Sequence, residues 1–145
     1  EIFALDALTL QLRYRFGESL LNKSEASQMV VVGEELFVCD SGNDRLQVFS
    51  LAGEHRRSIT GEWKKPDMLC SANDRLYLVE EPHDDDERGR IFVLSLQGST
   101  LYSHALSEDL SIESICCFGG KLVVVQKGRA VDGITPRRVI AFRGL

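Results

Sequence analysis

The densest run of groups able to do chemistry is EEPHDDDERG, residues 80–89, in which six of ten residues are acidic. Hard carboxylate oxygens suit Ca²⁺. The spacing does not match an EF-hand loop, however, and the consecutive Asp84, Asp85 and Asp86 cannot all point at one ion. The run reads instead as a solvated acidic loop at the end of a hairpin, with His83 exposed beside Arg88, and no metal site is expected. Basic residues form a second group: Lys64, Lys65, Lys127, Arg129, Arg137 and Arg138. Acidic and basic groups on one surface suit a charged protein or peptide partner, because charge complementarity sets specificity and on-rate.

Nucleophilic and metal chemistry find little support. The three histidines, His55, His83 and His104, are scattered, and no Ser-His-Asp set or glycine-rich phosphate loop is present. No catalytic residue and no cofactor is expected. Cys39, Cys70, Cys116 and Cys117 form no CxxC pair and lie near no histidine at metal-ligand spacing. All four read as reduced core residues, since free Cys behaves as a small hydrophobe. That favours a reducing compartment, and a cytoplasmic location is expected. No signal peptide is evident; the chain starts at Glu1, so a leader could have been removed or the start could be missing.

The formal charge of −5 argues against bulk nucleic-acid binding, although RNA at a local basic patch stays open as an alternative. Base stacking needs aromatic side chains on loops. Trp63 is the one aromatic candidate there, and its place in a linker favours packing. No apolar run approaches the roughly 18 residues of a membrane span, so no membrane partner is expected.

Strands must position these groups. In LQLRYRF, Leu10, Leu12, Tyr14 and Phe16 alternate with Gln11, Arg13 and Arg15, the period of a half-buried strand. No apolar stripe of helical period runs long enough for a helix. The pattern also repeats. Leu36, Leu76 and Leu122 open equivalent strands, and Met29, Leu69 and Ile115 stand seven residues before them. Gly33, Asn73 and Gly119 stand three residues before, where a tight hairpin asks for positive φ. The next strand recurs as RLQVFS, RIFVLS and RVIAFR, and its turn as SLAGE and SLQGS. Leu5, Phe49, Leu94 and Phe142 are equivalent, at steps of 44, 45 and 48 residues.

The unit therefore holds four short antiparallel strands, a to d. The chain order is c-d, a-b-c-d, a-b-c-d, a-b-c, which makes thirteen strands. A period of about 40–45 residues with four strands per unit predicts an all-β chain of β-propeller blades. The single domain spans 1–145: a partial blade at 1–17, blades at 26–60 and 66–106, and a partial blade at 112–145. A β-sandwich is the alternative, but it rarely keeps one register over three copies.

The segment LFVCDSGNDRLQVFSLAGE, residues 36–54, closely resembles an NHL repeat. Asp40, Gly42, Asn43, Arg45, Val48, Phe49 and Gly53 fit that pattern, and Gly61, Trp63 and Pro66 resemble the family's linker. The match is degenerate in the next two units, where insertions replace the Asp-x-Gly-Asn core. The resemblance implies an NHL-type β-propeller, commonly six blades around a channel. Some relatives bind RNA, and some are lyases or calcium-dependent lactonases. Asp40, Gly42, Asn43 and Arg45 are expected to be structural: Asp and Asn bond nearby amides, Gly takes the left-handed region, and Arg45 folds back on Asp40 or a carbonyl.

Thirteen strands make about three and a quarter blades, and closure normally removes exposed sheet edges. The chain is expected to be part of a larger propeller. Two copies closing a ring, as a homodimer, or a stable open arc are the alternatives. The a–b and c–d turns are short, whereas the d–a and b–c connections on the opposite face are long. Long connections are where repeat proteins place binding surfaces. The expected function is a non-catalytic binding or scaffold module that presents this face to a protein or peptide. An RNA-binding propeller or a propeller hydrolase or lyase is the alternative.

Overall fold

The computed structural model describes residues 1–21, 26–80, 89–106, 110–128 and 136–143. Among the described residues thirteen strands build four antiparallel sheets, in the strand order that the spacing predicts. The first sheet pairs β1 (Ile2–Leu5) with β2 (Leu12–Phe16). The second runs β3 (Ala26–Val32), β4 (Glu35–Asp40), β5 (Arg45–Ser50), β6 (His55–Thr60). The third runs β7 (Pro66–Ala72), β8 (Arg75–Glu80), β9 (Arg90–Ser95), β10 (Thr100–Ala105). The fourth runs β11 (Leu110–Phe118), β12 (Lys121–Gly128), β13 (Arg137–Arg143), beginning two residues earlier than the repeat suggests. Among the described residues the one helical turn is a 3-10 turn at Ser41–Asn43. No helix there is long and apolar enough to cross a membrane.

Each sheet packs face to face on the next, because the middle strands carry apolar residues on both faces. In β4, Leu36 and Val38 point to the first sheet, where with Phe49 of β5 they meet Ile2, while Phe37 and Cys39 point to the third. In β8, Leu76 and Leu78 face the second sheet, while Tyr77 and Val79 face the fourth. Successive side chains of a strand leave by opposite faces, so one strand feeds two cores. Each large side chain buried this way contributes about 1.5–3 kcal/mol. The last strands of the two four-stranded sheets, β6 and β10, are mostly exposed, and β6 carries His55, Arg56 and Arg57.

The first strands of the second, third and fourth sheets lie side by side in the order β3, β7, β11. Side chains bind them together. Ser27 Oγ donates to the Asp67 carbonyl at 2.6 Å, and Gln28 Oε1 accepts from the Leu69 amide at 2.7 Å. A residue from each connecting segment fills the junction between sheets: Leu21, then Trp63, then Leu106, all buried. Trp63 stacks edge-on against Phe92 at 5.9 Å between centroids. Its ring passes so close over Gly61 that a Cβ there would lie 1.9 Å from it.

Turn chemistry follows the repeat. Asn73 and Asp74 both have positive φ, as do Gly119 and Gly120, which fits two-residue hairpin turns. In the c–d turns, Ser50 Oγ accepts the Glu54 amide and Ser95 Oγ accepts the Ser99 amide, each at 3.1 Å.

Three expectations are corrected. Leu10 does not join the alternating strand: at φ 57 it sits in the turn closed by Asp6, and β2 begins at Leu12. In the b–c corner the left-handed residue is Asp44, at φ 52, and Gly42 has no positive φ, because the 3-10 turn delays the reversal by two residues. The cysteines are not all in the core: Cys39 and Cys70 are buried, Cys117 is half-buried and Cys116 is exposed. Adjacent residues of a strand cannot both face one core.

Candidate binding face

The antiparallel order sends the two kinds of connection to opposite ends of the sheets. One end carries the short turns that precede β4, β6, β8, β10 and β12. The other carries the b–c connections and the segments leading into β3, β7 and β11. Of the predicted site residues, His83, Asp84, Asp85, Asp86, Arg88 and Arg129 lie outside the described residues. The others can be placed.

The b–c corner of the second sheet is built around Asp40, which is fully buried. Its carboxylate accepts from Arg45 Nε at 2.7 Å, Asn43 Nδ2 at 3.0 Å and Gln47 Nε2 at 3.2 Å. Arg45 also reaches the Leu20 carbonyl at 3.3 Å, in the segment arriving from the first sheet. Pairing Asp40 directly opposite Arg45 in the β4–β5 register puts the carboxylate and guanidinium in reach. The third sheet repeats the device with a longer acid. Glu80 accepts from Arg90 Nε and Nη2, both at 2.9 Å, and from the Lys64 amide at 2.8 Å. Arg90 Nη2 in turn reaches the Glu62 carbonyl at 3.3 Å. In each case a buried acid and its arginine tie down the incoming segment that delivers the junction plug. In the fourth sheet Gln126 stands opposite Arg138. Gln126 is buried, its Oε1 has no hydrogen-bond partner among the described residues, and Arg138 is exposed.

The basic residues fall in two groups. Lys64 and Lys65 lie on the segment entering the third sheet. There Asp44 gathers them: its carboxylate accepts the Lys65 amide at 2.8 Å and pairs with Lys64 Nζ at 3.6 Å. Lys65 is itself left-handed, at φ 36. Lys127 and Arg137 sit directly opposite each other in the β12–β13 register, with Arg138 beside them, and all three are exposed. Arg137 is engaged by Glu113 through two bonds, of 2.8 and 3.2 Å. That contact holds the Glu113 carboxyl below its ordinary range and raises Arg137. Lys127 and Arg138 make no ion pair with a described residue.

Trp63, kept among the candidate face residues although its place in the linker favoured packing, lies in the interior. With no exposed area it presents nothing to a partner. Its indole Nε1 has no hydrogen-bond partner among the described residues. Sequence reasoning missed Gln47, a fully buried amide linking Asp40 to the outer strand. Its Oε1 meets His55 Nε2 at 2.9 Å and accepts from Ser58 Oγ at 2.7 Å. A polar residue inside RLQVFS where the next repeat has Phe92 was the available signal. Among the described residues no group of three or more His, Cys, Asp or Glu side chains could hold a metal ion.

No family model matches the sequence, and no curated protein matches it. Among solved structures, the chain is similar to the tail fiber of Staphylococcus aureus phage P68, with a TM-score of 0.60 and 17% identity over 87% of this chain. That similarity covers 30% of the tail fiber chain, so this chain spans well under two thirds of its length. At this identity the likeness concerns the fold: an all-β chain of four antiparallel sheets.

Proposed function

We propose that the chain forms blades of an NHL-type β-propeller and works as a non-catalytic binding module, whose partner is a protein or peptide bound at the end of the long connections. The propeller reading is supported by the side-by-side placement of β3, β7 and β11, the packing of each sheet on the next, and the repeated acid–arginine corners. The observation that carries the binding reading is the exposed basic end of β12 and β13, where Lys127 stands opposite Arg137, Arg138 leaves by the other face, and Lys127 and Arg138 are in no ion pair with a described residue. Cations whose backbone is held by a sheet cost less ordering entropy on binding carboxylates than cations on a loose loop. An acidic segment is therefore the partner chemistry at this spot.

The test is retention of the chain on an array of synthetic acidic and basic peptides, read as a function of salt. The reading predicts retention by acidic peptides and loss of about tenfold or more in affinity for an Arg137→Glu/Arg138→Glu variant. Equal retention by the variant contradicts it. So does failure on every peptide with tight, steeply salt-dependent binding to single-stranded RNA, which is the signature of counterion release.

A further inference from the structure

We propose that Cys70 and Cys117 are a thiol pair that oxidises reversibly to a disulfide joining the third sheet to the fourth, with a small-molecule disulfide such as oxidised glutathione as the oxidant. The two sulfurs lie 3.0 Å apart across the junction of β7 and β11. A disulfide bond is about 2.05 Å long, so closure needs a sulfur movement of about 1 Å and no rearrangement of the sheets. The strands already run side by side, and Ile115, Leu122 and Val124 pack with Cys70 in one core.

Exposure sets the order of events. Cys70 is 8% exposed and cannot meet a bulky oxidant first. Cys117 is half-buried and can. The Cys117 thiol gives its proton to solvent, and the thiolate attacks one sulfur of the oxidant. The oxidant's S–S bond breaks, one small thiolate leaves, and a mixed disulfide forms on Cys117. Cys70 then loses its proton and attacks Cys117 Sγ. The mixed disulfide breaks, the second small thiolate leaves, and the Cys70–Cys117 bond is made. Two protein thiols are oxidised by two electrons, one disulfide is reduced to two thiols, and the released protons go to the departing thiolates. Burial raises both thiols above their ordinary range, so exchange is slow near neutrality and accelerates with pH.

Cys116 is the competitor. It is exposed, but neighbouring residues of a strand project to opposite faces, so its sulfur leaves on the side away from Cys70. A bridge between Cys116 and Cys117 would require breaking the β11 ladder.

The experiment treats the full chain with oxidised glutathione at mildly alkaline pH, blocks remaining thiols by alkylation, and maps disulfides by peptide mass spectrometry. The expected result is an intrachain Cys70–Cys117 bridge with two hydrogens lost. The melting temperature rises on the order of 10 °C, because the bridge closes a 47-residue separation, and returns on reduction. Cys116→Ser keeps the bridge, and Cys117→Ser abolishes it. Mapping is done on the unsubstituted chain, so the outcome does not depend on a variant folding. A bridge that maps to Cys116, within or between chains, overturns the proposal. So does a chain that carries glutathione on Cys116 while Cys70 and Cys117 stay free.

Discussion

Replacing Asp40 by Ala removes the acceptor at the centre of the second sheet's corner. Among the donors that lose it are Arg45 Nε, Asn43 Nδ2 and Gln47 Nε2. The Arg45 side chain is 30% exposed and partly recovers water, and Asn43 is exposed and recovers fully. Losing the charge-assisted bond therefore costs about 1.5–3 kcal/mol. Gln47 is fully buried and recovers nothing, which adds about 1–3 kcal/mol for an unsatisfied amide. Relief from burying a carboxylate offsets part of this, leaving about 3–4 kcal/mol, within the range for breaking a buried pair. For a chain of this size that lowers the melting temperature on the order of 10 °C. Urea unfolding followed by circular dichroism reads it as a shifted midpoint. The control is Arg138→Ala, at the repeat position of Arg45 in the fourth sheet, where a neutral Gln126 stands opposite; it should cost under about 0.5 kcal/mol. An equal loss at both sites, or a loss at Asp40 below about 1 kcal/mol, refutes the idea that the acid holds the corner.

Two further outcomes follow from local geometry. Gly98 has φ +92, and a Cβ there would lie 2.1 Å from Ile59 Cγ2, whereas Gly33, at φ +58, has open space around it. Gly98→Ala should cost about 3 kcal/mol from backbone strain plus overpacking, and Gly33→Ala about 1 kcal/mol from strain alone; equal losses by calorimetry would sink the packing argument. Asp6 is held down from 3.8 to about 2, first by Arg13 and then by Thr9 and Leu8. A carboxyl lowered in the folded state supports the fold above pH 3.8, and that support is lost as pH falls through about 2. Carbon-detected NMR titration of Arg13→Ala should show the Asp6 midpoint move up toward 3.8, and an unmoved midpoint would rule Arg13 out as the cause.

The strands were legible because period-two alternation and the spacing of Leu36, Leu76 and Leu122 are local properties of the chain. The Arg45–Asp40 contact was legible for the same reason, since two residues only five apart across a hairpin corner have few other partners. Junction plugs were not. Leu21 and Leu106 are leucines among many and Trp63 is not, and the three sit in connections of different length, so only packing between sheets makes them equivalent. The place of Trp63 in a linker favoured packing, but sequence did not show what it packs on: Gly61 leaves room for its ring, which lies edge-on against Phe92. The shift of the left-handed residue from Gly42 to Asp44 depends on a 3-10 turn that composition does not announce. Nor does sequence show which cations are already engaged. Lys64 and Arg137 have carboxylate partners, Asp44 and Glu113, from distant parts of the chain, and so contribute less to a binding face than their exposure suggests.

The central claim is that partners bind at the end of the long connections. Strand β12 offers a direct comparison, because Lys121 opens it beside the short Gly119–Gly120 turn and Lys127 lies near its other end. The measurement is the affinity for an acidic peptide retained on the array, for Lys121→Glu and Lys127→Glu side by side. The account predicts that Lys127→Glu weakens binding about tenfold while Lys121→Glu leaves it within about twofold. Weakening by Lys121→Glu with Lys127→Glu unaffected, or equal weakening by both, would contradict it.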